Sequence, residues 1–374
     1  MNFIKVKELF EIKKGKKVEQ IEAFKEGCIR YIQIDDLRNN NNIKFCNEEK
    51  SYIISNSDDI IIAWDGANAG TIGYGLVGAI GSTLAILRKK DNNFNTEYCG
   101  LFLKSKFNYL RDKCTGATIP HISRSSLEEL RVPNIGVEEQ KKIANILNLA
   151  QELIDKRKKQ IEELDLLVKS KFTEMFGDVF LNTKNFEMKQ IKDIVTVVKG
   201  ITYKPNQVNE EGTIVLRSSN IKGSKFDLND IVRVNKKIDE KFLVEVNDIL
   251  MCNRNGSERL VGKVAKIPEY NEPMTFGTFM TIIRSPYYNY LFTFFQTEAF
   301  RRQIKMQTSV AINQISIPLL ESVKVPLPPI ELQNQFADFV KQVDKLKFEM
   351  ENSLKKLEDN FNSLMQKSFN GELV

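Results

Sequence analysis

Apolar residues recur every seven positions along two stretches of this chain. Leu147, Ile154, Ile161, Val168 and Met175 carry the first repeat, with Ala150 and Leu164 three positions further on. Phe336, Val343, Met350, Leu357 and Leu364 carry the second, with Val340, Leu354 and Phe361 beside them. Such a repeat marks a helix with one buried seam, and therefore a helical partner. No proline interrupts residues 137–176, and Gly136 and Gly177 bracket them. Pro326, Pro328 and Pro329 precede the second stretch and Gly371 follows it, which are ordinary helix start and stop signals. Two helices of about 40 residues, each about 60 Å long, are predicted. They can pair antiparallel within one chain or each with its copy in a homodimer. The pair within one chain is the more economical arrangement.

Elsewhere the apolar runs are short. Residues 60–64 and 84–87 are β-rich and bounded by Gly, Asp and Asn, and read as strands. Residues 214–216 and 249–251 read as the matching strands of a later block. Residues 98–110 and 288–304 read as helices packed on the sheets. Asn39 to Asn42 form a polar loop.

The blocks repeat each other. Ala117-Thr118-Ile119-Pro120-His121-Ile122-Ser123 answers to Val310-Ala311-Ile312-Asn313-Gln314-Ile315-Ser316. At the same offset Val132-Pro133 meets Val325-Pro326, Glu138 and Gln140 meet Glu331 and Gln333, and Phe176 meets Phe369. At slightly different offsets, Lys14-Gly15 meets Lys199-Gly200, Asp59 meets Asp248, and Gly81-Ser82-Thr83 through Arg88 meets Gly277-Thr278-Phe279 through Arg284. The repeat is too long for a solenoid, whose units run about 20–50 residues. It is a duplicated module of globular block plus helix. The expected fold is α+β: mixed α/β blocks at 1–135 and 179–329, and long helices at 136–178 and 330–374.

Charge and composition narrow the function. The net charge of +6 is modest. Its distribution is more telling, with basic clusters at Lys13, Lys14, Lys16 and Lys17, at Lys156-Arg157-Lys158-Lys159, and at Lys236-Lys237. Such clusters can follow a phosphate backbone. Five cysteines without C-x-x-C spacing fit reduced thiols and not a zinc site or a disulfide framework. No apolar run reaches membrane-span length, and the first residues lack the apolar stretch of a signal peptide. A cytoplasmic protein is expected.

Catalytic signatures are missing. Residues 73–78 match G-x-G-x-x-G, but a strand follows where a dinucleotide site needs a helix. His121 is the single histidine, and its copy is Gln314, which cannot take a proton at neutral pH. A polar contact therefore suits that position better than a catalytic base. No ATP loop, no PD…(D/E)xK nuclease signature and no Asn-Pro-Pro-Tyr methyltransferase tetrapeptide occurs. The residues argue for binding and not for chemistry.

Three sets of residues carry a family resemblance. One is the strand-and-turn pattern from Asp248 to Ser257 with its counterpart from Asp59 to Gly70. Another is the loop from Thr115-Gly116 to Ser123 with its counterpart ending Gln314-Ile315-Ser316. The last is the junction from Pro326 to Gln333 that enters a long helix, matched by Val132-Pro133 to Gln140. Together they resemble the specificity subunit of Type I restriction–modification systems over essentially the whole chain. The copies differ where Gly136-Val137 stands against Pro329-Ile330, and where Thr308-Ser309 replaces the Thr-Gly of the first loop.

The resemblance implies that each globular block is a target-recognition domain reading one half of a split DNA site. It implies that an antiparallel pair of coiled-coil helices sets the gap and binds two methyltransferase subunits. The chain would carry no cofactor of its own. S-adenosylmethionine would sit on those subunits, and ATP and Mg²⁺ on restriction (motor) subunits that can join. The expected partners are double-stranded DNA and these subunits, with no membrane.

Base edges in the major groove are read by Arg, Lys, Asn and Gln. Candidate contacts in the second block are Asn253, Arg254, Asn255 and Arg259, with Arg217 and Asn220 at a strand end and Asn313 and Gln314 in the repeated loop. In the first block they are Trp64, Asp65 and Asn68, with Thr118, His121 and Arg124. A coiled-coil adaptor whose heads bind proteins is the competing reading, and a self-contained DNA-modifying enzyme is another.

Overall fold

The computed structural model describes residues 2–116, 118–306, 313–370 and 372. Ala117, Thr308, Ser309, Val310, Ala311, Ile312 and Gly371 lie outside the described residues. The chain forms two units, Met1–Lys159 with Met350–Val374 and Gln160–Glu349. Each unit holds one globular block and a part of both long helices.

In unit 1, four antiparallel strands lie in the order Phe10–Lys14, Leu84–Lys89, Ile60–Ala63 and Ile72–Tyr74. In unit 2, Thr196–Lys199, Met280–Arg284, Ile249–Cys252 and Val264–Lys266 repeat that order. A two-stranded pair ties the ends of each block together: Phe3–Lys5 with Arg131–Pro133, and Glu187–Gln190 with Lys324–Leu327. Each unit also has a second sheet that contains one parallel pair, Cys28–Ile32 beside Gly78–Ile80 and Thr213–Leu216 beside Met274–Phe276.

The central strands are apolar and buried at every position, so they are covered on both faces. Each pairs with a strand that carries an Arg near its end, and that Arg holds a buried carboxylate at the foot of the central strand. Arg88 donates from Nε and Nη2 to Asp59 at 2.9 and 2.5 Å. Arg284 does the same to Asp248 at 2.8 and 2.8 Å. Asp59 is 1% exposed and Asp248 2%, so each depends on this bidentate partner to offset the loss of water. The hydrogen bonds the guanidiniums donate to these carboxylates in turn hold both guanidiniums above their ordinary pKa. Gly15 and Gly200 occupy matching close approaches, where a Cβ would fall on the carbonyl oxygens of Gly81 and Gly277. Gln140 and Gln333 are both buried and donate at 2.8 Å to the carbonyls of Ile135 and Pro328, anchoring the start of each long helix.

Those helices run Val137–Phe176 and Ile330–Asn370. Within unit 1, Leu147 shares a core with Met365 and Phe369, and Lys158 pairs with Glu358 at 2.9 Å. Within unit 2, Lys347 pairs with Asp165, and the Phe172 and Phe336 rings meet at 5.5 Å. In both units the two helix segments therefore run antiparallel. Leu147, Ile154, Leu164, Phe336 and Val343 are buried in the seam.

Some elements differ from expectation. Residues 98–110 form two helices, Thr96–Ser105 and Phe107–Asp112, because Lys106 leaves the helical region at φ −96°, ψ 11°. Residues 288–304 likewise divide into Tyr288–Phe294 and Glu298–Met306. There Thr297 Oγ1 accepts the Phe300 N–H at 3.4 Å and starts a new helix. Trp64 begins the turn after its strand and does not extend it. Residues 214–216 do not match 84–87: they lie in the second sheet, and Met280–Arg284 is the counterpart. Short apolar runs carry no mark of which sheet they join. Residues 73–78 turn between two strands, as expected.

Candidate nucleic-acid interface

In both units the turn after the central strand is pinned on two sides by backbone hydrogen bonds. In unit 1 the Trp64 and Asp65 amides donate to the Thr83 carbonyl at 2.7 and 3.3 Å. In unit 2 the Asn253 and Arg254 amides donate to the Phe279 carbonyl at 3.0 and 3.3 Å. On the other side, the Ile122 amide donates to Trp64 O at 2.9 Å and the Ile315 amide to Asn253 O at 2.7 Å. Asp65 thereby bridges to His121 and Arg254 to Gln314. The frame makes Asp65 equivalent to Arg254, His121 to Gln314, and Thr83 to Phe279.

The side chains on that frame are unlike. Asp65 accepts from Lys14 Nζ at 2.7 Å and from His121 Nδ1 at 2.6 Å. Burial alone would raise the Asp65 carboxyl, but the hydrogen bonds from Lys14 and His121 hold it below its ordinary range. A carboxylate only accepts, so it places the imidazole proton on Nδ1 and leaves Nε2 for another partner. In unit 2, Arg254 is exposed and lies over the Phe279 ring, 5.2 Å from its centroid.

The other candidates fall into two groups. Thr118, Arg259, Asn313 and Gln314 are exposed, and Arg259 rims a cavity of about 390 Å³ with Phe300, Arg301 and Ile315. Several others are engaged within the protein. Asn68 accepts from Arg38 at 2.6 Å, Arg124 donates to Glu128 at 2.7 Å and Arg217 to Asp230 at 2.7 Å. Asn255 holds Ser218 at 3.1 Å.

Asn220 needs a correction as a base contact. It is 1% exposed, its amide donates to the Asp227 and Asp230 carbonyls at 2.9 Å each, and it accepts from the Arg217 amide at 2.8 Å. It builds the turn that carries Arg217. Asn253, the residue before Arg254, is also buried. The basic clusters are partly committed too: Lys13 pairs with Glu11, Lys156 with Glu152 and Lys158 with Glu358.

Sequence reasoning missed Phe279, which shares the frame with Thr83. It also missed Gln33 and Asp35, which line a polar groove of about 410 Å³ with Asn68, Ser82 and Thr83. The aligned triplets Gly81-Ser82-Thr83 and Gly277-Thr278-Phe279 held the signal for Phe279: a large apolar residue at the tip of a turn. Among the described residues no group of three His, Cys, Asp or Glu side chains is placed to hold a metal ion, and no helix is long and apolar enough to cross a membrane.

Comparison with known proteins agrees with this architecture. The family described as Type I restriction modification DNA specificity domain matches residues 1–166 and 183–358, once per copy. The MjaVIII specificity subunit of Methanocaldococcus jannaschii is 27% identical over 368 residues, covering 92% of this chain and 86% of that protein. The EcoBI specificity subunit of Escherichia coli is 22% identical, covering 85% and 74%. Among solved structures, the S subunit of M. genitalium superposes with a TM-score of 0.54 at 19% identity, covering 98% of this chain and 96% of that one. A chain from a study of complex assembly and conformational transition in the type I R-M system reaches a TM-score of 0.63 at 15% identity, covering 98% and 97%. With the family matched in both copies, this chain belongs to the Type I restriction–modification DNA specificity family and is a specificity subunit of such a system.

Proposed function

We propose that each unit reads one half of a bipartite duplex site, and that the two long helices set the gap and receive two methyltransferase subunits. The observation that carries this is the duplicated frame with unlike side chains. Two equivalent backbone turns display Asp65 with His121 and Lys14 in one unit, and Arg254 with Gln314 and Phe279 in the other. One scaffold with two chemistries suits an asymmetric two-part sequence. Arg and Gln match the guanine and adenine edges in the major groove. The helices also offer surface for partners: Ile146, Leu149 and Leu153 form an exposed apolar stripe at helical spacing in unit 1, and Leu166, Leu167, Leu346 and Phe348 are exposed in unit 2.

In this reading the chain is a non-catalytic subunit working in the cytoplasm. Methyl transfer from S-adenosylmethionine belongs to the methyltransferase subunits, and ATP- and Mg²⁺-dependent work to restriction subunits where these join. The test is adenine-methylation mapping with the reconstituted complex. A bipartite consensus is expected, with Asp65→Ala altering one half and Arg254→Ala the other. If either substitution changes both halves, the assignment of one half to each unit is wrong.

A further inference from the structure

We propose that Phe279 is a specificity-determining residue, and that with Arg254 it reads a step in which thymine and guanine occupy neighbouring base pairs. This rests on the DNA-reading function proposed above and deepens it for unit 2.

Phe279 sits at the tip of the turn between Met274–Phe276 and Met280–Arg284 and is 53% exposed. Leaving a phenyl ring in water forgoes the transfer free energy that burial would give, so a ring kept at a turn tip suggests an apolar surface to meet. The Phe279 carbonyl accepts the Asn253 and Arg254 amides. Ring and guanidinium are therefore mounted on one hydrogen-bonded piece of backbone.

Arg254 makes no ion pair among the described residues, whereas Arg124, Arg217 and Arg233 each hold a carboxylate. Its guanidinium lies 5.2 Å over the Phe279 ring. That cation–π contact orients the planar fork without using its donors. A free, oriented fork matches guanine O6 and N7. The ring centre is 5.2 Å from the guanidinium, about one and a half times the rise of about 3.4 Å between base pairs, so a ring edge would reach the neighbouring pair. The one apolar group that the bases present in the major groove is the thymine methyl. In unit 1 the equivalent residue is Thr83 and the residue at the Arg254 place is Asp65, so the device belongs to unit 2 alone.

The test uses the full chain reconstituted with its methyltransferase subunits and a randomised duplex library. The wild-type complex should select one half-site with thymine beside guanine. Replacing that thymine by deoxyuridine removes only the methyl and should weaken binding about four-fold. Phe279→Ala should lose the thymine preference and weaken guanine selection less than Arg254→Ala, which should lose it, and Phe279→Leu should keep the thymine. The inference is overturned if the consensus lacks thymine beside guanine, if deoxyuridine binds as tightly as thymidine, or if Phe279→Ala selects the same sequence. The deoxyuridine comparison needs no variant, so misfolding of Phe279→Ala leaves it decisive. A wild-type complex that selects no sequence at all overturns the DNA-reading function as well. Selective binding that ignores the methyl overturns this inference alone.

Discussion

After the central strand of unit 1 the turn presents Asp65, gripped by Lys14 and His121. At the same place in unit 2 stands Arg254, tied to no carboxylate among the described residues and resting on an aromatic ring. The supports beneath are nearly identical: the same strand order, the same buried Asp–Arg pair, the same glycine against a carbonyl, the same glutamine at the helix entry. Groups that bear stability recur in both copies, and groups at the turn do not. Duplication has kept the platform and left the displayed side chains free to differ. Each prediction below probes one side of that contrast.

The largest effect is expected in the platform. Asp59→Ala and Asp248→Ala each remove the bidentate partner of a partly buried guanidinium. Arg284 keeps Glu245, so the loss should be the larger for Asp59→Ala, up to about 3–5 kcal/mol. Two units need not unfold in one step, so a single melting curve is the wrong readout. Amide hydrogen exchange should show lost protection confined to the unit that carries the change. Equal loss in both units would mean that the platforms are not independent.

A smaller effect is expected at the turn itself. Arg254→Ala should cost about 1–3 kcal/mol at one base of one half-site and leave hydrogen exchange unchanged. A uniform loss on all sequences with a shallower salt dependence would mark Arg254 as a phosphate contact.

These two predictions also separate what the chain made legible from what it hid. The heptads at Leu147 and Phe336 gave the helices directly, since a seam of that period has one geometric meaning. The loop around His121 and Gln314 was legible because it recurred. Asn220 misled: a polar residue in a turn looks like surface, and only tertiary packing turns its amide inward onto the Asp227 and Asp230 carbonyls. Residues 214–216 misled as well, because alternation and apolarity do not say which sheet a strand joins. Phe279 stayed hidden since a lone aromatic in sequence reads as core, and its exposure is a property of the turn.

The next contrast is in pH response. Asp65 has its folded pKa lowered, its burial outweighed by the hydrogen bonds from Lys14 and His121. A depressed carboxylate stabilises the fold above its unfolded pKa of about 3.9 and loses that contribution as pH falls through the lower folded value. Trp64 is the only tryptophan of the chain and adjoins Asp65, so its emission reports this turn alone. An acid step below about pH 4 should appear in the wild type and vanish in Asp65→Asn. Persistence of the step in Asp65→Asn would assign it to another carboxylate. The equivalent turn of unit 2 has no carboxylate at that place and should show no matching change in amide exchange.

The last prediction leaves both turns intact and should cost the least affinity. If the helices set the gap between half-sites, lengthening them changes spacing and nothing else. Four residues inserted after Lys158 add about 6 Å of helix, close to the rise of two base pairs at about 3.4 Å each. Four residues shift the heptad phase by a stutter, so the second helix needs a matching insertion. Residues 349–350, where that helix passes from one unit to the other, are the place for it. The flanking pairs Lys158–Glu358 and Lys347–Asp165 each lie within one unit, so the insertions part neither. Methylation mapping should then return unchanged half-sites with one or two more base pairs between them. Altered half-sites at the old spacing would move specificity out of the turns and into the helices, and would undo the division between platform and display on which the comparison rests.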